Sequence, residues 1–139
     1  MTDAEEIVRE GVIAVIERGG LFLSIIRSAT VIAPGKLCFP GGGVEPGETE
    51  KEALVRECFE ELGGRIIPGE KIDVSVTPWK VRLHWYTATL PNDVELRPNP
   101  KEIAEIRWMT IREMREHPDL LESNIWFLEK LLQKELLSD

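Results

Sequence analysis

Three glutamates near the middle of the chain, Glu57, Glu60 and Glu61, follow one another at the spacing i, i+3 and i+4. On a helix this spacing stacks the side chains on one side, where like charges repel by about a few tenths of a kcal/mol per pair. They also fall in the last turns of the predicted helix, where the helix dipole disfavours negative charge. A bound divalent cation such as Mg²⁺, which prefers oxygen ligands, explains why the carboxylates are together. Arg56 lies one turn before Glu60 and can hold one carboxylate by a charge-assisted hydrogen bond.

A glycine-rich segment, Pro40-Gly41-Gly42-Gly43, precedes these glutamates and is predicted to be turn or loop. Because glycine has no Cβ, its backbone can approach a metal ion or a phosphate closely. Glu48 lies just before the helix, where it can orient the loop or a bound water. A glutamate-rich helix alone is more often a solvated face, and a glycine turn alone is more often structural. Their combination within 23 residues favours a site.

The glutamates are positioned by a helix predicted over residues 49–62. Thr49 is its N-cap, Glu52 completes a capping box, and Gly63-Gly64 ends the helix. A rotation of about 100° per residue divides the helix into an acidic side and an apolar side. The apolar side is predicted to face the core and carries Val55, Cys58, Phe59 and Leu62.

Strands account for most of the remaining chain. The Val- and Ile-rich segments 8–18 and 21–28, separated by Gly19-Gly20, predict a β-hairpin. Further strands are predicted at 71–77, 79–90 and 104–109, a short helix at 110–116 and an amphipathic helix at 122–136. The predicted fold class is therefore α+β, a mixed β-sheet flanked by helices, in a single domain over residues 1–139.

The formal net charge of −8 repels polyanions, so polymeric nucleic acid is not an expected partner. A small phosphorylated ligand is compatible with this charge, since a divalent cation can mediate its binding. No apolar run is long enough to span a bilayer, and the acidic start MTDAEEIVRE lacks the basic and apolar regions of a secretion signal. Cys38 and Cys58 are interpreted as reduced, partly buried thiols. Together these features predict a cytoplasmic protein without a membrane partner.

The glycine segment and the helix together resemble the signature of the Nudix hydrolase family, MutT-like enzymes. That signature is Gly, five residues, Glu, seven residues, then Arg-Glu-aliphatic-any-Glu-Glu-any-Gly-aliphatic. Every glycine, glutamate and arginine of it is in register here, from Gly42 through Glu48 to the segment Arg56–Gly64. Two aliphatic positions depart from the signature, since they hold Cys58 and Gly64. Cys58 is a small hydrophobe that should pack well, whereas Gly64 should anchor the end of the helix weakly.

The resemblance implies a fold, an activity and a set of site residues. The implied fold is the Nudix α/β/α sandwich, and the implied activity is attack of water on the pyrophosphate of a nucleoside diphosphate linked to a group X. The implied metal ligands for Mg²⁺, with Mn²⁺ as an alternative ion, are Glu57, Glu60, Glu61 and the backbone carbonyl of Gly41 or Gly42. Arg56 is implied to orient the glutamates, with Glu48 as a supporting carboxylate. The family also allows a homodimer.

Two questions stay open at this level. The general base is expected to be Glu57, with Glu102 second, because some family members supply another acid from a loop; Glu105 is the alternative to Glu102. Residues that contact the substrate are less well defined. Candidates for phosphate binding are Arg27, Arg82 and His84, and candidate platforms for a nucleobase are Trp79, Trp85, Tyr86 and Trp108. Each of these is more often a surface or core residue than a ligand contact.

Three functions are therefore distinguished. The first is hydrolysis of a (deoxy)nucleoside triphosphate to a monophosphate and pyrophosphate, including damaged nucleotides. The second is a pyrophosphatase for ADP-ribose, a nucleotide sugar or a dinucleoside polyphosphate. The third is a module that senses a nucleotide without cutting it, which the complete set of signature glutamates disfavours. Release of pyrophosphate together with a monophosphate separates the first function from the second.

Overall fold

The computed structural model describes residues 6–137 of the chain. Residues 1–5, part of the acidic start considered above for a secretion signal, and residues 138 and 139 lie outside it. In chain order the elements are β1 (Arg9–Arg18), β2 (Leu21–Arg27), β3 (Leu37–Cys38), β4 (Gly41–Gly43), α1 (Glu50–Leu62), β5 (Ile67–Val76), β6 (Val81–Thr89), β7 (Ile103–Met109), α2 (Ile111–Glu116) and α3 (Glu122–Leu137). No helix of the described part is both long and apolar enough to cross a membrane.

These elements form two compact units, each assembled from separate stretches of chain. The first unit contains the chain up to Ile16 and the segment Pro40–Arg97, and the second contains Glu17–Phe39 and the chain from Pro98 onward. Because the chain passes between the units three times, after Ile16, Phe39 and Arg97, they are not consecutive domains. A single domain over residues 1–139 stays a prediction.

The first unit is built on a mixed four-stranded sheet. β1 pairs in parallel with β6, from Arg9 beside Val81 to Ile16 beside Ala88, and antiparallel with β4. β5 pairs antiparallel with the other edge of β6. The central segment of β1 is a continuous buried apolar run, as expected for a strand covered on both faces. α1 packs in this unit through Ala53, Leu54, Cys58 and Leu62.

The second unit is centred on β2. One edge of β2 pairs antiparallel with β7, and the other pairs with β3 and with the end of β1 at Glu17 and Arg18. The β1–β2 hairpin is therefore confirmed. Phe39 is the centre of the core here, since its ring lies edge-on to Phe22 and Phe127 at centroid distances of 6.3 and 5.9 Å. The predicted packing helix is also confirmed, because α3 buries Phe127.

The strand boundaries differ from the predictions in the β5–β6 hairpin. β5 begins at Ile67, four residues before the predicted start at 71, because pairing with β6 tolerates Pro68 and Gly69 at a bulge. β6 begins at Val81 rather than 79, and Trp79 lies in the turn before it, 65 % exposed. The mixed sheet and flanking helices otherwise agree with the predicted fold class.

Candidate active site

Helix α1 is capped at both ends as its sequence predicts. The Glu52 backbone N donates to Thr49 Oγ1 at 3.1 Å, and the Thr49 backbone N donates to Glu52 Oε1 at 2.8 Å, which completes the capping box. At the other end Gly63 adopts the left-handed conformation (φ 73°), and its N donates to the Phe59 carbonyl. No basic residue lies in the last turn. The glutamates there are therefore not compensated by lysines, as the metal hypothesis expects.

The glycine segment is a strand and not a loop, which corrects the prediction. Gly41–Gly43 form β4, and Gly42 pairs with Val12 of β1. Glycine is required because a Cβ on Gly41 would overlap the Val12 carbonyl, and one on Gly42 would overlap the Glu57 carboxylate. A pure glycine strand was missed because glycine disfavours strands and marks close backbone approach instead. The close approach itself was predicted, and the group approached here is Glu57.

Arg56 lies at the centre of the acidic cluster. Its guanidinium binds Glu48 in a bidentate pair, with Nε to Oε2 at 2.6 Å and Nη2 to Oε1 at 2.9 Å. Nη1 donates to Glu57 Oε1 at 2.9 Å and reaches Glu60 Oε2 at 3.3 Å. Nη2 also donates to the Gly43 carbonyl at 2.9 Å, which ties β4 to the helix. The structure thus places Arg56 in contact with three glutamates and with β4, while its orienting role stays a prediction.

The Arg56–Glu48 pair fixes the charge state of both groups. The hydrogen bond from Arg56 is the largest cause that lowers the pKa of Glu48 from 4.5 to about 2. The same bond is the largest cause that raises the pKa of Arg56 above its ordinary value. Glu48 therefore stays ionised at neutral pH and paired with Arg56.

The prediction of which side of α1 faces the core was wrong for two residues. Glu61 is buried, 6 % exposed, and its Oε1 accepts a hydrogen bond from the Gly41 N at 3.0 Å. Phe59 instead is 53 % exposed. Helical rotation shows which residues share a side, but burial is centred on Leu54 and Cys58, between the two predicted sides. Burial also raises the pKa of the Cys58 thiol, so this cysteine is an inert packing residue.

The donor groups present suit a hard divalent cation. Glu57 lies against the Gly42 backbone, where a side chain would exclude it, and Glu61 is fixed on the Gly41 N. No three acidic, histidine or cysteine side chains of the described residues converge into a closed metal cluster. Mg²⁺ does not require one, since it keeps several waters and takes further ligands from substrate phosphates. The carboxylates and nearby backbone thus fit an open site.

A second polar cluster in the first unit joins α1 to the sheet and was not predicted. Tyr86 Oη donates to Glu50 Oε1 at 2.6 Å, and Lys71 Nζ lies 2.8 Å from the same oxygen. His84 Nε2 lies 2.7 Å from Glu10 Oε1, and its Nδ1 lies 3.4 Å from Glu50 Oε2. We call these five residues the Glu50 cluster. Glu10 and His84 are 74 positions apart, so sequence spacing carried no signal for the pair.

The cluster changes the interpretation of several predicted substrate contacts. Tyr86 and His84 are each only 5 % exposed and are engaged with glutamates, so the Tyr86 ring offers no free face for a nucleobase. Trp85 is fully buried and donates Nε1 to Ser75 Oγ, which makes it a core residue. Arg82 remains half-exposed, with Nη1 3.6 Å from Glu10 Oε2. Of the predicted contacts on β6, only Arg82 has an accessible charged group.

The second unit contains the remaining predicted residues. Arg27 Nε donates to the Ile32 carbonyl at 2.7 Å, which fixes the loop after β2. Glu105 Oε2 accepts from Arg107 Nε at 2.8 Å, whereas Glu102 Oε2 is buried without a hydrogen-bond partner among the described residues. A buried carboxylate oxygen without a partner is costly unless a ligand satisfies it, which favours Glu102 over Glu105. Trp108 is covered on one face by the Arg18 guanidinium at 5.3 Å.

Comparison with known proteins identifies the family. The family model described as NUDIX domain matches residues 8–131. The chain belongs to the Nudix family. The solution structure of the Escherichia coli ORF135 protein is similar, with 31 % identity, a TM-score of 0.70, and coverage of 90 % of this chain and 89 % of that one. The MutT protein of Methanosarcina mazei Go1 gives 26 % identity and a TM-score of 0.73 over 91 % and 94 % of the two chains. The Nudix α/β/α sandwich is thereby confirmed.

Two curated Nudix relatives carry names that describe nucleotides. The nucleoside triphosphatase NudI of Enterobacter sp. (strain 638) is 40 % identical over 70 residues, 49 % of this chain and 45 % of that protein. The CTP pyrophosphohydrolase of Escherichia coli K12 is 46 % identical over 63 residues, 45 % of this chain and 47 % of that protein. The chain thus spans about half the length of the curated relatives it matches.

Proposed function

We propose that this Nudix protein is a divalent-metal-dependent pyrophosphohydrolase. Its preferred substrate is a (deoxy)nucleoside triphosphate, and the products are a nucleoside monophosphate and pyrophosphate. The observation that carries the proposal is the set of hydrogen bonds made by the Arg56 guanidinium. It binds Glu48, Glu57 and Glu60, and it also binds the Gly43 carbonyl of the glycine strand β4. The names of the two curated relatives, a nucleoside triphosphatase and a CTP pyrophosphohydrolase, support the substrate class.

In this proposal the metal ligands are Glu57, Glu60 and Glu61, with the backbone carbonyl of Gly41 or Gly42. The cation is Mg²⁺, with Mn²⁺ as a substitute. When bound, it neutralises phosphate charge and makes the attacking water more acidic. Glu61 is suited to this role because it is buried and the Gly41 N fixes one of its oxygens at 3.0 Å.

The proton of the attacking water is assigned to Glu57. Arg56 orients the Glu57 carboxylate through Oε1, and Gly42 leaves the space in which that carboxylate lies. Water forms a bond to phosphorus, the bridging P–O bond breaks, and the proton passes to the base. Glu102, whose buried Oε2 accepts no hydrogen bond from any residue that the structure describes, is the second candidate for the base. Arg27 and Arg82 are proposed to bind substrate phosphates, whereas Tyr86 is proposed to hold α1.

A nucleotide panel tests the proposal. The purified protein is incubated with each nucleoside triphosphate, ADP-ribose, a nucleotide sugar and a dinucleoside polyphosphate, with Mg²⁺, with Mn²⁺ and with EDTA. We expect metal-dependent release of pyrophosphate and a monophosphate from at least one triphosphate. Turnover restricted to ADP-ribose or a nucleotide sugar would favour the pyrophosphatase function. Binding of a nucleotide without any turnover would instead identify a sensing module.

We extend the proposal to a cytoplasmic protein that acts on small nucleotides and not on polymeric nucleic acid or membranes. The net charge of −8 supports this, because a polyanion would be repelled over most of the surface. A homodimer is compatible with the family, and sedimentation equilibrium distinguishes it from a monomer.

A further inference from the structure

A buried histidine of the Glu50 cluster has one ring nitrogen without a partner. His84 is 5 % exposed and contacts Glu10 of β1 and Glu50 of α1. Its Nε2 lies 2.7 Å from Glu10 Oε1, whereas its Nδ1 forms no hydrogen bond with any residue that the structure describes. A buried polar atom without a hydrogen bond is costly, so this nitrogen requires an explanation.

The two carboxylates determine where the protons of the ring lie. A carboxylate only accepts hydrogen bonds, so Nε2 must carry a proton and donate it to Glu10. In a neutral imidazole the other nitrogen then carries a lone pair. Nδ1 faces Glu50 Oε2 at 3.4 Å, so two acceptors meet there without a hydrogen between them. One further proton, on Nδ1, would convert this contact into a charge-assisted hydrogen bond.

The other charged and titratable groups of the cluster bind different oxygens of the two carboxylates. Lys71 of β5 and Tyr86 of β6 both bind Glu50 through Oε1, at 2.8 and 2.6 Å, and not through the oxygen that faces the ring. Arg82 of β6 lies 3.6 Å from Glu10 Oε2, again not the oxygen that the ring contacts. Burial opposes ionisation of Glu50, but the hydrogen bonds from Lys71 and Tyr86 lower its pKa. A negative charge therefore lies beside the unpartnered nitrogen.

We propose that His84 is a pH switch: protonation of Nδ1 lets the ring bind Glu10 and Glu50 at the same time. Glu50 is the first residue of α1, so the protonated ring joins the start of this helix to β1 and β6. With the neutral ring, Glu50 is held by Lys71 and Tyr86 alone among these neighbours. Because α1 also carries the acids of the candidate active site, the switch makes the attachment of that helix depend on pH. The inference does not rest on the proposed function, since it requires neither metal nor substrate.

The sign of the pH dependence follows from the fold. Only the folded chain places Nδ1 opposite Glu50, so the folded state favours the protonated ring. Stability from this contact is therefore present at acidic pH and is lost as the pH rises through the range in which an imidazole changes charge, about pH 5 to 8. In His84→Gln the side chain can still donate to Glu10 but does not titrate. We expect the unfolding equilibrium constant of the wild type, relative to this variant, to rise about tenfold across that range in urea titrations.

The chain contains one other histidine, His117, which supplies the matched control. Its Nδ1 accepts a hydrogen bond from the Asp119 N at 3.0 Å, which only an unprotonated nitrogen can do. His117→Gln should therefore keep the gain in stability at acidic pH. Glu50→Gln removes the charge opposite Nδ1 and should lose that gain, which tests the switch even if His84→Gln does not fold. If either folded variant, His84→Gln or Glu50→Gln, keeps the wild-type pH dependence, the switch is overturned.

NMR of the ring nitrogens in wild-type protein observes the proton directly. Nitrogen chemical shifts distinguish a protonated ring nitrogen from one with a lone pair, and the spectrum of His117→Gln assigns the two rings. We expect His84 to carry protons on both nitrogens at about pH 5 and on Nε2 alone at about pH 8. A ring that is still neutral at the acidic end would show that Nδ1 accepts a hydrogen bond from water. A ring that is still charged at the basic end would show a permanent ion pair, and either result overturns the switch.

Discussion

At the scale of single residues, Glu61 and Glu48 are the two most informative side chains. A backbone donor binds Glu61, and a guanidinium binds Glu48. Glu61 combines near-complete burial with a hydrogen bond from the Gly41 N at 3.0 Å. Glu48, whose side chain is 18 % exposed, accepts a bidentate bond from Arg56. A buried carboxylate beside the glycine strand is suited to bind a cation, whereas one held in a bidentate ion pair is suited to position its partner.

The substitution Glu61→Gln distinguishes the loss of a metal ligand from the loss of the folded structure. The amide oxygen of glutamine can still accept from the Gly41 N, so we expect the melting temperature to stay close to wild type. Metal-dependent turnover should fall by about hundredfold or more, since a charged ligand is removed. Steady-state kinetics with Mg²⁺ and thermal melts measure the two effects. Glu70→Gln, an exposed acid on β5, is the control; equal activity in both variants would contradict the metal assignment.

The substitution Glu48→Gln tests the Arg56–Glu48 ion pair through the pH dependence of the free energy of unfolding. The pKa of Glu48 is lowered from 4.5 to about 2 by the Arg56 hydrogen bond, so its stabilisation is present above pH 4.5 and disappears as the pH falls toward 2. Wild type should therefore be more stable than the variant at pH 7, and the difference should shrink as the pH approaches 2. Urea unfolding across this range measures it. A difference that does not change with pH would show that the ion pair does not carry the effect.

At the scale of elements, capping and close backbone approach decide how the site is built. The α1 capping box was predicted correctly because its signal is local, within four residues of Thr49. The strand β4 and the burial of Glu61 were not predicted, because both depend on which distant segment packs against them. The Glu50 cluster was missed for the same reason, since it joins α1 to strands far away in sequence. Local chemistry was readable from the sequence, while long-range contacts were not.

The packing of Gly64, at the end of α1, differs from the prediction. It stands where the family signature has an aliphatic residue, and it was expected to anchor the helix end weakly. In the structure Gly64 is buried, and a Cβ there would lie 2.6 Å from Val94 Cγ1 and 3.0 Å from Leu96 Cδ2. The side chains of Val94 and Leu96 fill the space that an aliphatic side chain at position 64 would occupy. The aliphatic contact is thus supplied by the segment after β6.

Gly64→Val is therefore expected to destabilise the protein by about 1–3 kcal/mol, because it overfills that space. Chemical denaturation measures the change. Val94→Ala alone should also destabilise, by leaving a cavity, but combined with Gly64→Val it should recover part of the loss. If the double variant is no more stable than the sum of the single effects predicts, the two side chains do not compete for one space.

Tyr86 offers a direct probe of the Glu50 cluster because it is the only tyrosine of the chain. Burial and the negative charge of Glu50 raise the pKa of Tyr86 from 10 to about 12. Stability from this group is present below pH 10 and is lost as the pH rises through 12. We expect phenolate absorbance to appear near pH 12 in folded protein and to shift toward 10 in urea. In Glu50→Gln the folded value should fall; an unchanged value would exclude Glu50 as a partner.

At the scale of the whole molecule, the net negative charge and the proposed metal site have opposite effects on the stability of the folded state. A net charge of −8 destabilises the compact state by self-repulsion, and the glutamates of α1 concentrate part of that charge. A cation bound by those glutamates offsets the repulsion locally and binds only the folded chain. Ligand binding to the folded state alone raises stability with ligand concentration.

Magnesium should therefore raise the melting temperature of the wild type by more than sodium chloride at equal ionic strength. At ten times the dissociation constant the stabilisation is about 1.4 kcal/mol, or roughly 5 °C for a chain of this size. Screening by sodium relieves repulsion in any acidic protein, so only the excess over sodium reports a site. Glu57→Gln should lose that excess and Glu70→Gln should keep it, as scanning calorimetry can measure. An equal rise in both variants would place the cation elsewhere, because neither variant differs from the other in net charge.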